Sequence, residues 1–299
     1  MRLKPFLGQG SNHSRITYFN DGKTGKFIPH PRAFTHIDDR GLQFADGIYE
    51  VLAAENRQLV DEGLHYKRLK NSLKAVEIAA PVSEKSIHVI IMELLRRNNL
   101  QDAMVYIQVT RGVAKRDHYF PKNRQPTLLI TVTPLKKPSV AEIANGVAVV
   151  TMPDLRWQRR DIKSLSLLPN VLAKNQALPA KEAWLIDNGV ITEGSATNAY
   201  IVTAAEVVKT HPKNNLILGG ITRETVLALA KKNKIKLEEK PFTLQEAMNA
   251  KEAFFTNTTA RILPVVKIDD KKIGSGKPGE VTQKLMKIYN DYIDKIVKT

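Results

Sequence analysis

The segment Pro134-Leu135-Lys136-Lys137-Pro138 constrains the fold more than any other stretch, because two prolines within five residues resist both a helix interior and a central strand. A boundary placed there divides the 299 residues into 1–136 and 137–299. A chain of that length suits one or two hydrophobic cores, and the interruption favours two.

Before the boundary, residues 43–52 read as a strand, and Leu69, Leu73 and Val76 mark one face of a helix. A second helix is expected after Ser83, a suitable N-cap, with Ile87, Ile90, Ile91, Leu94 and Leu95 at the spacing of a buried stripe. The β-rich runs 105–110 and 127–133 follow. The polar loop joining them, 111–125, is longer than a hairpin requires and is a candidate for function. Past the boundary, 146–152 and 183–186 read as strands, and Asp187-Asn188-Gly189 supplies turn chemistry for a hairpin into 190–192. A strand at 198–203 and a helix at 222–231 come next. A last helix runs from Val281 with Leu285, Ile288, Tyr289, Tyr292 and Ile296 on one face. The order of elements predicts an α+β chain in two lobes.

Composition excludes several function classes. No apolar run reaches the length of a membrane span, and the opening MRLKPFLGQGSNH has basic residues but no apolar core of an export signal. The chain has no cysteine, which removes disulfides, thiolate nucleophiles and cysteine-based zinc sites and makes the cytoplasm the default location. Seven scattered histidines form no HExxH pair, so no metal site is expected. The formal charge of +16 invites nucleic acid or an anionic substrate. Lys231, Lys232, Lys234 and Lys236 nevertheless lack the interleaved aromatics of a single-strand binder, which favours a solvated surface. A basic nucleic-acid-binding protein is the competing non-enzyme class.

Four constellations carry chemistry. In Asp161-Ile162-Lys163-Ser164-Leu165-Ser166-Leu167, strand alternation would put Lys163 on the face of Leu165 and Leu167, with the serines opposite. Desolvation there disfavours the ammonium form and supplies a free amine for condensation with an aldehyde. A lysine whose stem packs while its head reaches water fits the same pattern. Thr192-Glu193-Gly194-Ser195-Ala196-Thr197-Asn198 is a tight turn bearing one carboxylate, either a structural turn or a partner for a cationic ring nitrogen. Gly219-Gly220-Ile221-Thr222-Arg223-Glu224 leads into a helix with Thr222 as its N-cap, a start suited to phosphate or to nothing at all. Arg116 and His118, two apart in the long loop, would point the same way in an extended segment and could grip a carboxylate or simply face solvent.

In this order the motifs resemble the D-amino acid aminotransferases of fold-type IV. The likeness runs from about Gly41 to the C-terminal helix. It includes Gly41-Leu42-Gln43-Phe44-Ala45-Asp46-Gly47-Ile48-Tyr49-Glu50, His65-Tyr66-Lys67-Arg68-Leu69 and the QVTRG of residues 108–112. Arg116-x-His118, DIKSLSLLPNVLAK at 161–174, TEGSATN at 192–198, GGITRE at 219–224 and Thr258-Thr259 before Pro264 complete it. The resemblance implies a smaller α+β N-terminal domain and a larger β-rich C-terminal domain, with pyridoxal 5'-phosphate between them. It implies a homodimer acting on amino acids and 2-oxo acids. Lys163 would hold the cofactor aldehyde and move the substrate proton, and Glu193 would face the pyridine nitrogen. Arg68, Ile221, Thr222 and Thr258 would form the phosphate cup, with Leu218 packed against the ring. Tyr49, Arg116 and His118 would trap the substrate carboxylate, some of them from the second subunit. A branched-chain L-aminotransferase or an aminodeoxychorismate lyase shares the lysine and glutamate, but the Arg116-x-His118 pair argues against both. Arg261 stands where relatives often have Glu, which alters charge either near the cofactor phosphate or at the surface.

Overall fold

A computed structural model describes residues 15–122 and 125–298; the opening stretch considered above for an export signal lies outside them. The first lobe runs β1 (Ile16–Asn20), β2 (Gly25–Pro29), α1 (Arg40–Phe44), β3 (Gly47–Glu55), β4 (Gln58–Leu59), α2 (Glu62–Ala75), α3 (Glu84–Arg97), β5 (Ala103–Thr110) and β6 (Thr127–Pro134). The second opens with α4 (Val140–Asn145), β7 (Val147–Pro153), α5 (Leu168–Gln176), β8 (Glu182–Asp187), β9 (Val190–Gly194), β10 (Asn198–Val202) and β11 (Val208–Thr210). It continues with α6 (Ile221–Lys232), β12 (Leu237–Glu239), β13 (Phe242–Thr243), α7 (Leu244–Met248), β14 (Glu252–Asn257), β15 (Arg261–Ile268), β16 (Lys271–Lys272) and α8 (Glu280–Lys298). No helix among the described residues is long and apolar enough to cross a membrane.

In the first lobe, among the described residues, an antiparallel sheet of six strands follows the order β2-β1-β6-β5-β3-β4. Ser83 Oγ accepts the Ser86 N–H at 3.1 Å and starts α3, whose stripe of Ile87, Ile90, Ile91, Leu94 and Leu95 is buried as expected. Each of those side chains contributes about 2 kcal/mol when removed from water, and together they seal α3 onto β1 and β6. The expected strand at residues 43–52 begins later. Asp39 Oδ1 accepts the Gly41 N–H at 2.8 Å and caps the short α1, and Ala45 then takes the left-handed conformation (φ 53°), which ends the helix and turns the chain into β3.

The second sheet follows the path β12-β11-β10-β14-β15-β7-β8-β9-β13, with β16 paired to β15. Asn188 (φ 49°) and Gly189 (φ 79°) give the hairpin between β8 and β9 the positive-φ turn that its sequence called for, with Asp187 opposite Val190. β9 and β10 stand far apart on this path yet are joined by residues 195–197 alone, where the Gly194 N–H donates to Thr197 O at 2.7 Å. The sheet therefore curls on itself, and the Glu193 turn lies where it closes. A core between this sheet and helices α6 and α8 includes Tyr200, Phe254, Leu285 and Tyr289, and it takes in Ala53 and Val60 from the first lobe. On α8 the innermost residues are Thr282, Leu285, Tyr289 and Ile293; Ile288, Tyr292 and Ile296, expected on that face, are half-buried at its margins.

Arg261 settles the question that its sequence position raised. It bonds both oxygens of Glu55 at 2.6 Å and Asn290 Oδ1 at 2.7 Å, tying the end of β3 to α8. It is not among the residues lining the cavity described next.

Candidate active site

Lys163 lies on no strand, which corrects the expected alternation. Residues 161–167 follow an irregular path that forms one bridge to β3, Ile48 with Ser164. The Tyr49 N–H donates to Lys163 O at 2.9 Å and the Leu165 N–H to Gly47 O at 3.0 Å. Between these bonds the Ser164 N–H turns back to Ile162 O at 2.8 Å, closing a γ-turn around Lys163. The turn, not pleating, aims the side chains: Ile162 and Ser164 are buried, Lys163 is half-buried and Ser166 is exposed. Lys163 Nζ rests 4.1 Å from the centroid of the Tyr49 ring, and both residues line a cavity of about 250 Å³ walled by both lobes.

The Glu193 carboxylate enters the same cavity from the closure of the large sheet. It accepts from Arg156 Nη1 at 2.6 Å, from Asn198 Nδ2 at 2.9 Å and from the Leu218 N–H at 3.0 Å. Complete burial pushes this carboxyl up, and Arg156 and the Leu218 amide oppose that shift. All of these neighbours are donors, so only the ionised carboxylate satisfies them. Asp154 holds Arg156 from the other side, with Nε at 2.9 Å and Nη2 at 2.7 Å. Burial would raise the Asp154 carboxyl, but Arg156, Thr192 and Arg160 bring it below its ordinary value.

Arg68, Ile221, Thr222 and Thr258 also line this cavity, as does Leu218. The cap of α6 is Gly220, two residues before the expected Thr222 and without a side-chain bond; Thr222 is already in the first turn and buried. A Cβ at Gly220 would fall 2.0 Å from Asn198 Oδ1, so the close approach of Asn198 excludes any side chain and leaves no room for a capping residue. The first-turn amides at Ile221 and Thr222 have no intrahelical partner and point the helix dipole at whatever lies before them. Arg68 is aimed by Glu50, which takes Nε at 3.0 Å and Nη2 at 2.5 Å, and by Gly219 O, which takes Nη1 at 3.0 Å. Glu50 is fully buried and also meets His65 Nδ1 at 3.0 Å; burial would raise its carboxyl, but Arg68 and His65 hold it far below the usual carboxylate range.

Arg116 and His118 share one side, as expected for residues two apart, and both turn onto Phe44: the Arg116 guanidinium lies 4.6 Å and the His118 ring 5.6 Å from its centroid. Both are exposed, and neither lines the cavity of its own chain.

The cavity suits a phosphorylated pyridine aldehyde. It presents an amine, a buried carboxylate, and a cation beside a helix start. The hydroxyl of Thr197, which also lines it, is buried with no hydrogen-bond partner among the described residues. Residues 47–268 match the family model for amino-transferase class IV. The chain belongs to the class IV aminotransferases. A D-alanine aminotransferase of Bacillus licheniformis is 40% identical over 278 residues, covering 92% of this chain and 98% of its own length. One from Listeria monocytogenes is 38% identical over 270 residues, with 89% and 92% covered. Among solved structures, the branched-chain amino acid aminotransferase of Escherichia coli superposes with a TM-score of 0.85 at 22% identity, over 93% of this chain and 94% of that one. That of Thermoproteus uzoniensis gives 0.81 at 25% identity, with 95% of each chain covered.

Several residues in and around this cavity escaped sequence reasoning. Arg156, Arg159 and Arg160 are three arginines within five positions and look alike in sequence; the fold buries the first and third side chains at 8% and 1% exposure and leaves Arg159 outside with Asp161. No local signal separates them. Asn198 was visible only as the end of a turn. Glu50 did leave a signal: along β3 it alternates onto the face of Ile48 and Leu52, both fully buried, and a carboxylate on such a face calls for a cationic partner.

Proposed function

We propose that this enzyme carries out pyridoxal-phosphate-dependent transamination between a D-amino acid such as D-alanine and a 2-oxo acid such as 2-oxoglutarate, by a ping-pong mechanism. The observation that supports it most is the joint presence in one cavity of the half-buried Lys163 amine, the buried Glu193 carboxylate and the Arg68, Ile221, Thr222 and Thr258 cluster. The D-alanine aminotransferases at 34–40% identity favour D-amino acids. The branched-chain enzymes share the fold at lower identity and carry no weight on substrate.

Pyridoxal 5'-phosphate, when bound, supplies an aldehyde that takes the amino group and a ring that draws electrons from the substrate α-carbon. Lys163 would hold that aldehyde and, once displaced by substrate, carry the proton at Nζ to and from the α-carbon. Glu193, kept ionised by its donors, would favour a protonated ring nitrogen. Arg68, Thr258 and the amides of Ile221 and Thr222 would hold the phosphate, and Leu218 would pack against the ring. Tyr49 closes over Lys163 and would help to place the substrate carboxylate.

Arg116 and His118 would act on the site of a second copy, which accounts for their exposure. Leu155, Trp157, Leu168, Val171 and Leu172 leave apolar surface uncovered, and Trp157 and the neighbouring Leu167 and Asn170 line the cavity, so a homodimer would cover that surface next to the site. A cytoplasmic location rests on the lack of cysteine. The test is a half-reaction screen of paired D- and L-amino acids on the purified protein loaded with pyridoxal 5'-phosphate, followed by visible absorbance. D-alanine should convert faster than L-alanine. Equal or faster conversion of L-leucine than of any D-amino acid would overturn the assignment.

A further inference from the structure

Arg160 has no part in the proposed chemistry, yet its side chain is 1% exposed and borders the cavity. Its Nη2 donates to Asp187 Oδ2 at 2.9 Å, and its Nη1 lies 3.4 Å from Asp154 Oδ2, the carboxylate that grips Arg156. The same guanidinium reaches Arg156 O at 3.5 Å and Leu216 O at 3.4 Å, and the Arg160 N–H donates to Asn215 O at 2.9 Å. One buried cation thus touches three separate segments, two of which donate to Glu193. The first, 154–156, supplies the Arg156 guanidinium to Glu193; the second, 215–218, supplies the Leu218 amide to Glu193.

We propose that Arg160 is a positioning residue for Glu193, holding in register both chain segments that donate to that carboxylate; its catalytic meaning rests on Glu193 facing the cofactor ring, as proposed above. The residue type follows from the task. A planar guanidinium spans two carboxylates and two carbonyls at once, which a lysine ammonium on a flexible stem does not. The charges around it fit as well: Arg156 and Arg160 stand against the carboxylates of Asp154, Asp187 and Glu193, so the cluster carries one excess negative charge. A protonated ring beside Glu193 would balance it.

A guanidinium that merely fills the core would give the same burial, so the test must read the Glu193 donors directly. Amide hydrogen exchange is measured on the full chain, with and without added pyridoxal 5'-phosphate, for Arg160→Met and the milder Asp187→Asn. The Leu218 amide should exchange about tenfold faster in both variants while the amides of β5 and β6 in the other lobe keep their native rates. In the loaded enzyme, kcat with D-alanine should fall with little change in KM, and Arg160→Lys should restore little of it. Should Arg160→Met fail to fold, Asp187→Asn decides alone. Unchanged exchange at Leu218, or a rise shared equally by β5 and β6, overturns the proposal. A wild-type protein that develops no visible absorbance with pyridoxal 5'-phosphate would defeat the functional assignment, while the exchange rates would still decide what Arg160 does.

Discussion

Among the described residues lining the cavity, Lys163 supplies the primary amine, so both proposed functions, aldehyde anchor and proton carrier, would fall on one side chain. Borohydride treatment of the loaded protein should leave the pyridoxyl group on Lys163, and Lys163→Ala should abolish turnover; mass spectrometry that finds the label on another lysine would refute the assignment. Glu193 is a different case, because its neighbours are all donors. Glu193→Gln presents an amide to Arg156 and leaves that buried guanidinium with one carboxylate, Asp154, in place of two. We expect kcat to drop and, in addition, a stability loss on the order of 3 kcal/mol in denaturant titration, the cost of breaking a buried pair. Loss of turnover with unaltered stability would mean that Asp154 alone compensates Arg156. His65 sets a pH dependence. Burial holds its imidazole below the ordinary value of 6.5, and Glu50 only partly opposes this, so the folded state keeps it neutral. Its contribution is therefore complete above that value and is lost as pH falls below it, because the unfolded chain then binds the extra proton more readily. His30 and His211 shift the same way, with burial as the first cause in each. Melting temperature should decline from about pH 7 to about pH 5, and His65→Asn should make that decline shallower; an identical slope in the variant would remove His65 from the explanation.

At the scale of elements, the start of α6 depends on one glycine and not on its neighbour. A Cβ at Gly220 meets Asn198 Oδ1 at 2.0 Å, and Asn198 is bonded to both Glu193 and Leu218 O, so nothing there moves without disturbing the carboxylate. A Cβ at Gly219 meets the flexible end of Lys213, with Cε at 2.7 Å, and that side chain swings away. Gly220→Ala should weaken cofactor binding by about tenfold or more in an absorbance titration, since both the helix start and Asn198 shift, whereas Gly219→Ala should bind as the parent does. Equal affinities for the two variants would show that α6 tolerates displacement.

At the scale of the whole molecule, exposure of Arg116 and His118 makes a prediction that no single chain can satisfy. Arg116→Ala and Lys163→Ala should each be impaired alone. Mixed after dissociation and reassociation, they should recover up to about a quarter of parental activity, because half of the dimers pair one intact Lys163 with a partner's intact Arg116. Failure of the mixture to exceed the sum of its parts, with dimers verified by sedimentation, would confine Arg116 to its own chain or remove it from the site.

Local interactions made much of this legible from the sequence. The Ser83 cap and apolar stripe of α3, the Asn188-Gly189 turn and the β5 and β6 runs are each specified by residues within a few positions of one another, and each is present. The family resemblance, not a local interaction, singled out Lys163, Glu193 and the α6 start, and the three line one cavity. The tertiary structure alone decided how these are aimed. Lys163 is directed by a γ-turn pinned to β3, and Glu193 by Arg156 and Leu218, 37 and 25 residues away. Of three arginines within five positions, two become buried tethers because of what packs over them from distant strands. Periodicity and capping report forces that act along the chain, whereas desolvation and ion pairing depend on groups that only the closed fold brings together.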